Sequence, residues 1–282
     1  MPELPEVETM RRGALPVVGG MISGIHRLAC RLRPIHIVPA MPTFQRRVVG
    51  TRIRRLDRLG KRLLIWLETD HAIVFEPRMT GLILLSDPPT HEHLRFRLDL
   101  EGTEVAHLWY WDRRGLGSVR LLDRRQVEQQ LGPSRLGPDA LGVDAGQLTE
   151  RLTRRRVPVK VALLDQSALA GVGNLYASEI LHVARIHPGT RCDRLTRCQW
   201  LRLADSMRGV LEEAIHYEGS ALSDGTYRTA LNHPGQYQNY HRVYARAGQL
   251  CASCGQAEIQ RIVQAQRATF FCPACQGGTF TD

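Results

Sequence analysis

Cys251-Ala-Ser-Cys254, separated by 17 residues from Cys272-Pro-Ala-Cys275, opens the stretch on which the reading of this chain turns. Each C-x-x-C pair makes a tight knuckle, and four thiolates at this spacing fit a closed tetrahedral zinc site. The span between them suits a β-hairpin: Ile259–Phe271 has strand composition around Gln264-Ala-Gln266-Arg267. Arg267 then stands at the hairpin tip, as a phosphate or groove contact or as a solvated arginine. Two ordered pairs without a further ligand fit a structural zinc rather than a redox or iron–sulfur centre, and a catalytic zinc would keep one position open. One Zn2+ held by Cys251, Cys254, Cys272 and Cys275 is expected to stabilise a small C-terminal module. The other three cysteines, Cys30, Cys192 and Cys198, are irregularly spaced and read as buried thiols, not disulfides.

Upstream of this frame the pattern is helical. Asp144–Arg155, Pro158–Ala170, Asn174–Ala184 and Thr196–Tyr217 carry apolar residues at three- and four-residue spacing. Gly171-Val172-Gly173-Asn174 joins two of these helices: the glycines allow a tight turn and Asn174 is placed to cap the second helix. A helix N-terminus with free N–H groups can hold a backbone phosphate, and Lys160, at the start of the preceding helix, could reach the same strand. A plain αα-turn is the competing reading. Ser223–Gln238 is polar and loop-like, and Gly132–Asp139, with two Gly-Pro pairs, reads as a linker.

Before the linker the period changes. Ile22–Arg27, Val48–Leu56, Arg62–Leu67, Ala72–Phe75, Gly81–Leu85, Leu94–Leu100, Val105–Trp111 and Ser118–Leu122 are short β-type runs, many bounded by Gly, Pro or Asp. They predict an all-β sandwich or barrel. Residues 1–13 read as a short helix: Pro5 suits a first helical position, Glu6 and Glu8 suit the positive end of the dipole, and Gly13 closes it.

Composition narrows the function. The chain has 282 residues, is 43% hydrophobic and carries a net charge of +10, with a pI of about 9.7. That balance suits a polyanionic partner, most simply nucleic acid, although many basic surfaces are merely solvated. No apolar run approaches the ~20 residues of a membrane span, and the acidic, Pro-rich start is no signal peptide. Lys plus Arg is 38 and only Lys61 and Lys160 are lysines, which leaves 36 arginines. A lysine retained in so arginine-rich a chain either marks a place that wants a compact, mobile ammonium or survives by chance.

The start of the chain carries chemistry of its own. If Met1 is removed, Pro2 presents a secondary amine, and a terminal α-amine titrates near ~8 against ~10.4 for lysine. Such an amine attacks an aldehyde-like carbon to give an iminium. Glu3 follows directly, with Glu6 one helical turn further on.

Taken together these elements resemble the formamidopyrimidine-DNA glycosylase family, relatives of endonuclease VIII, over essentially the whole chain. The resemblance rests on Met1-Pro-Glu-Leu-Pro-Glu-Val-Glu-Thr9, Gly60-Lys61-Arg62, Met79-Thr80-Gly81, Asp112-Arg113-Arg114, Gly171-Val-Gly-Asn174-Leu-Tyr-Ala-Ser-Glu179 and Cys251…Gln266-Arg267-Ala-Thr-Phe-Phe-Cys272…Cys275. The Glu-Leu-Pro-Glu start is similar to the formamidopyrimidine branch. The fold it implies is α+β and multidomain: an N-terminal helix plus β-sandwich (1–132), a helix–two-turn–helix domain (133–245) and a C-terminal zinc hairpin (246–282).

The resemblance implies a bifunctional glycosylase and AP lyase acting on oxidised purines, 8-oxoguanine and formamidopyrimidines, in damaged duplex DNA. Pro2 would attack C1′ and displace the base, Glu3 would act as acid on the sugar ring oxygen, and β,δ-elimination would leave a one-nucleotide gap. Glu6 would organise the pocket. Lys61 falls on a lysine contacting phosphate beside the lesion, Lys160 and Asn174 on helix–two-turn–helix phosphate contacts, Arg267 on the hairpin arginine and His93 on a histidine near phosphate. Met79 and Arg114 match side chains that fill the gap left by the flipped nucleotide. The third such position, an aromatic in the family, is Leu116, and Glu76-Pro77-Arg78 before Met79 is unusual; both bear on lesion search and opposite-base preference. The loop after Gly219-Ser220, which in the family closes over the flipped base, has no clear match. A monomer without a small-molecule cofactor is expected, in a bacterial cytoplasm and nucleoid-associated through DNA held in a basic cleft between two lobes. The rivals are an endonuclease VIII-type enzyme for oxidised pyrimidines, a non-catalytic damaged-DNA-binding protein on the same scaffold, and, with little in its favour, an RNA-binding zinc-ribbon protein.

Overall fold

The computed structural model describes residues 2–221 and 225–277. They fall into two compact units, Met1–Arg135 with Ile215–Gln238, and Leu136–Ala214 with Asn239–Asp282. The fold is α+β, and no helix among the described residues is long and apolar enough to cross a membrane.

The first unit begins with α1 (Leu4–Gly13), which has Pro5 in its first turn. Strands β1 (Met21–Arg27), β7 (Leu94–Glu101), β8 (His107–Asp112) and β6 (Gly81–Leu84) form one sheet, in the order β1-β7-β8-β6. The second sheet runs β2 (His36–Val38), β9 (Ser118–Asp123), β5 (His71–Glu76), β4 (Arg62–Leu67) and β3 (Ile53–Leu59). Alternation along β7 buries Leu94, Phe96, Leu98 and Leu100, and these meet residues of the opposite sheet in one core. Phe75 lies 6.0 Å from Phe96 and 5.5 Å from Tyr110, ring centroid to ring centroid. The expected sandwich is therefore present.

Two helices of this unit carry no expectation from the sequence. α2 (Met41–Val48) opens on Pro42 and buries only Phe44 and Val48. The β-branched pair Val48-Val49 reads as a strand start, but Val48 ends the helix and β3 begins at Ile53, beyond Gly50 at φ 83°. α3 (Arg124–Leu131) buries only Val127 and Leu131. Its signal is the capping box: Gln126 N–H donates to Asp123 Oδ1 at 2.8 Å, and Asp123 N–H to Gln126 Oε1 at 3.0 Å.

The second unit holds α4 (Ala145–Leu152), α5 (Val159–Leu163), α6 (Asn174–Val183) and most of α7 (Arg197–His216). The expected helix Pro158–Ala170 stops at Leu163. Asp165 explains the break: its Oδ1 accepts from the Ser167 N–H at 3.0 Å and hydroxyl at 2.6 Å, a local pairing that competes with the helical ladder. Gln166 then braces the turn, accepting from Gly171 N–H at 3.0 Å and donating to Val172 O at 2.8 Å. Gly171 sits at φ 108°, open to glycine at little cost.

β10 (Gln260–Gln264) and β11 (Arg267–Phe271) form the expected hairpin, with Gln264 paired to Arg267 across Ala265-Gln266. Both turn residues have positive φ, 46° and 61°, as a primed two-residue turn requires. The hairpin packs on α6. Gln276 donates to Ile186 O at 2.9 Å and accepts from Cys272 N–H at 2.9 Å, and the His187 ring stands edge-on to Phe271 at 4.5 Å. Of the three further cysteines only Cys192 is buried; Cys30 is half-buried and Cys198 exposed, contrary to expectation, and all three are free.

Candidate active site and nucleic-acid contacts

Pro2 and Glu3 sit buried at the head of α1, with Glu3 as its N-cap residue. Glu6 Oε2 accepts from the Glu3 N–H at 2.8 Å, and its Oε1 accepts from the Ser220 N–H at 2.9 Å. One carboxylate thus fixes the backbone beside Pro2 and pins a segment more than 200 positions away. Gly219 makes this possible: it lies at φ 79°, and a Cβ there would stand 2.9 Å from Glu6 Oε1. The loop beyond is partly outside the described residues, as are 222–224 and Met1.

α1 packs on β3 and β4, the strands joined by Gly60-Lys61. Glu8 makes that contact electrostatic. It binds Arg11 at 2.8 Å, Arg12 at 2.9 Å and Arg58 at 3.2 Å, and Arg58 Nη1 goes on to Gly60 O at 2.9 Å. Burial pushes the Glu8 carboxyl up, but the arginines outweigh it and hold the pKa at about 2. Lys61, half-buried, therefore sits on a turn tied through Arg58 and Glu8 to the helix that carries Pro2 and Glu3.

Buried Asp112 organises a second group. Its Oδ1 accepts from the Thr80 hydroxyl at 2.5 Å and from Arg114 N–H at 3.1 Å, while Oδ2 accepts from Gly117 N–H at 2.8 Å. Arg95, 2% exposed, donates from Nε to Asp112 O at 2.8 Å. His93 adjoins the same loop: Asp112 N–H donates to His93 O at 2.9 Å, and the His93 ring meets Trp111 edge-on. Met79, Arg114 and Leu116 are thereby carried on two turns clamped by one carboxylate, Met79 and Arg114 exposed and Leu116 half-buried.

The second unit brings together Lys160, Asn174 and Arg267. The N-cap of α6 is Gly173, without a side-chain bond, so Asn174 does not cap the helix as expected. Its Oδ1 accepts from Lys160 Nζ at 2.6 Å and its Nδ2 donates to Ala268 O at 2.9 Å. Lys160 is fully buried and also donates to Thr269 Oγ1 at 2.7 Å. The pair staples the helical turn to β11, one residue from exposed Arg267. Glu179, also fully buried, accepts from the N–H groups of Arg242, Val243 and Tyr244 at 2.8, 3.0 and 2.8 Å, and so fixes the segment leading into the zinc frame.

The thiols of Cys251, Cys254, Cys272 and Cys275 lie within 4.8 Å of one another. The Cys251–Cys275 and Cys254–Cys272 separations are 3.8 and 3.7 Å. A tetrahedron of sulfurs ~2.3 Å from a central zinc has edges of about 3.8 Å. The donor set fits one structural zinc with no position left open.

The sequence points to Pro2, Glu3 and Lys61 but gives Glu8 only a helix-dipole role and gives Arg58 and Asp112 none: Glu8 and Arg58 tie the Lys61 turn to α1, and Asp112 clamps the turns carrying Met79, Arg114 and Leu116.

A family model described as the formamidopyrimidine-DNA glycosylase N-terminal domain matches residues 1–119, its H2TH domain matches 136–226, and a zinc finger found in FPG and IleRS matches 248–277. A formamidopyrimidine-DNA glycosylase of Chloroflexus aurantiacus is 41% identical over 279 residues, covering 98% of each chain. Two solved structures from Lactococcus lactis, each covering 98% of this chain and 100% of their own, superpose with a TM-score of 0.85. One is an FPG mutant with Fapy-dG-containing DNA, at 32% identity; the other is Fpg with abasic-site DNA, at 31%.

Proposed function

The chain belongs to the formamidopyrimidine-DNA glycosylase family, and from that premise we propose that it is a bifunctional DNA glycosylase and AP lyase that removes oxidised purines from duplex DNA in base excision repair. The observation that carries this reading is the Pro2–Glu3–Glu6 arrangement at the head of α1, tied to Ser220.

With Met1 removed, the Pro2 nitrogen attacks C1′ of the damaged nucleotide. The C1′–base bond breaks, and the base leaves with a proton. Glu3 protonates the sugar ring oxygen, the ring opens, and an iminium joins Pro2 to C1′. Loss of a C2′ proton expels the 3′ phosphate, a second elimination expels the 5′ phosphate, and hydrolysis frees Pro2. Lys61, held by the Arg58–Glu8 link, contacts the phosphate beside the lesion. Met79, Arg114 and Leu116 fill the gap left by the flipped nucleotide, offsetting part of an unstacking cost of a few kcal/mol. Lys160, Asn174, His93 and Arg267 serve phosphate binding, the buried Lys160 by orienting Asn174 and adding its charge. The roles divide along 1–132 for catalysis, with Ser220 added by the 215–238 segment of the same unit, the rest of 133–245 for the helix–two-turn–helix and 246–282 for the zinc hairpin, in a monomeric cytoplasmic protein.

Borohydride trapping on a duplex carrying 8-oxoguanine opposite cytosine, with mass spectrometry of the crosslink, tests this. The expected adduct is on the Pro2 amine, and Pro2→Ala abolishes it. Trapping on thymine glycol instead would move the protein to oxidised pyrimidines. Binding without any adduct, from a chain shown to start at Pro2, would leave a non-catalytic damage binder.

A further inference from the structure

The turn before Met79 holds an arginine in a conformation arginine avoids. Arg78 has φ 54°, where the Cβ of an L-residue crowds the following carbonyl oxygen. Strain of this kind persists where the surroundings impose it, and it clusters at functional positions. Here the surroundings are built for it. Pro77 O accepts from Gly81 N–H at 2.9 Å, closing the turn, and Gly81 has no room for a side chain: a Cβ would stand 2.6 Å from Pro77 O. Thr80 is fastened to Asp112. The Arg78 guanidinium is held by Glu76 Oε1 at 3.0 Å, the same oxygen that accepts from Arg62 Nη2 at 3.1 Å.

This cluster is over-charged. Burial lowers the Arg62 pKa, and the neighbouring Arg120 and Arg78 lower it further against the pull of Glu76, so Arg62 shares its surroundings with two other guanidiniums and one carboxylate. Arg62 and Glu76 are largely buried, at 19% and 13% side-chain exposure, whereas Arg78 is 61% exposed and faces outward beside Met79. The loop bearing Leu116 is adjacent, since a Cβ on Gly117 would stand 2.9 Å from Glu76 O. An exposed guanidinium with surplus positive charge behind it, next to side chains that replace a nucleotide, is matched by a phosphodiester.

We propose that Arg78 is a DNA-contact residue: its guanidinium grips a backbone phosphate beside the gap that Met79 and Leu116 fill, from a backbone conformation that also aims Met79. This rests on the reading of Met79 as a gap-filling residue. Binding of the full-length protein to tetrahydrofuran-containing and undamaged duplexes is measured against salt concentration. Arg78→Gly tolerates φ 54° without strain and removes the cation together with its ion pair to Glu76. It is expected to lower the salt slope by about 0.9 on both duplexes and to weaken binding roughly three- to tenfold, while Arg78→Lys keeps the slope. An unchanged slope in Arg78→Gly overturns the proposal, and so does a fall in its thermal midpoint, which would make the guanidinium a structural tie. Met79→Ala, which removes no charge, is expected to lower the preference for the tetrahydrofuran duplex and leave the slope alone. An unchanged preference there would overturn the gap-filling reading, separately from the fate of Arg78.

Discussion

Glu8, readable in the sequence only as a helix-dipole residue, shows how much a single side chain can carry. Its carboxylate meets Arg11, Arg12 and Arg58, and its pKa falls from 4.5 to about 2. A carboxyl whose folded pKa lies below its unfolded value adds stability above the unfolded value and loses it as pH drops through the folded one. That stabilisation is complete above about pH 4.5 and disappears toward pH 2. Glu8→Gln is therefore expected to cost on the order of 2–3 kcal/mol near neutrality, with the deficit shrinking toward the acid end in urea unfolding. A deficit independent of pH would show that Glu8 acts through packing alone. Pro2 and Glu3 are legible as candidates because an amine and a carboxyl that would work together are neighbours in the sequence itself. Glu8 and Asp112 are not, because their partners Arg58, Thr80 and Arg95 lie 17 to 50 positions off and only the sheet register brings them close. Leu116 stands between these cases: its place in the loop is readable, whereas its being half-buried under the Asp112 clamp is not.

Elements divide in the same way. The sandwich strands and the hairpin are legible because alternation and the two C-x-x-C knuckles are strong local signals. α2 and α3 are hidden because each buries only two residues and so leaves no apolar stripe. α5 is overread because its apolar spacing continues past Leu163, where Asp165 and Ser167 divert the backbone. The zinc hairpin illustrates an element whose small core cannot stand alone: Val243, Cys251, Ile259 and Cys272 make up its buried cluster, with Phe270 packed against them. Cys254→Ser is expected to unfold the hairpin, release about one equivalent of zinc and free Arg267 from its place beside Lys160 and Asn174, since structural zinc supplies ~10 kcal/mol or more to such modules. Far-ultraviolet dichroism should show the sandwich intact while duplex binding weakens at least tenfold. Full zinc content together with unchanged binding in this variant would show that the frame neither closes on the metal nor positions Arg267.

At the scale of the whole molecule the +10 charge has to be weighed against the few cations placed where DNA could use them. Part of that charge is spent internally: nine arginines are held by Glu8, Asp57, Glu76, Asp99, Asp165 and Glu213 among the described residues. The cations proposed for phosphates are few: Lys61, Arg78, the Lys160–Asn174 pair and Arg267. Each phosphate neutralised contributes about −0.9 to the slope of log K against log salt, so four contacts predict a slope of about −3 to −4, and a roughly hundredfold loss of affinity between about 50 and 200 mM. A slope near −1 would mean that the net charge serves solubility and that the proposed contacts are not made. The lesion adds a second, independent expectation. Phosphate contacts are blind to base damage, whereas Pro2, Met79 and Leu116, which would engage the flipped nucleotide and its gap, gain or lose no counterions when the base is damaged. The ratio of affinities for damaged and undamaged duplex should therefore stay constant across the salt range while both affinities collapse together. A ratio that falls with salt would place lesion recognition on charged groups instead, and would shift the search for specificity from the Met79 and Leu116 turns to the arginines beside them.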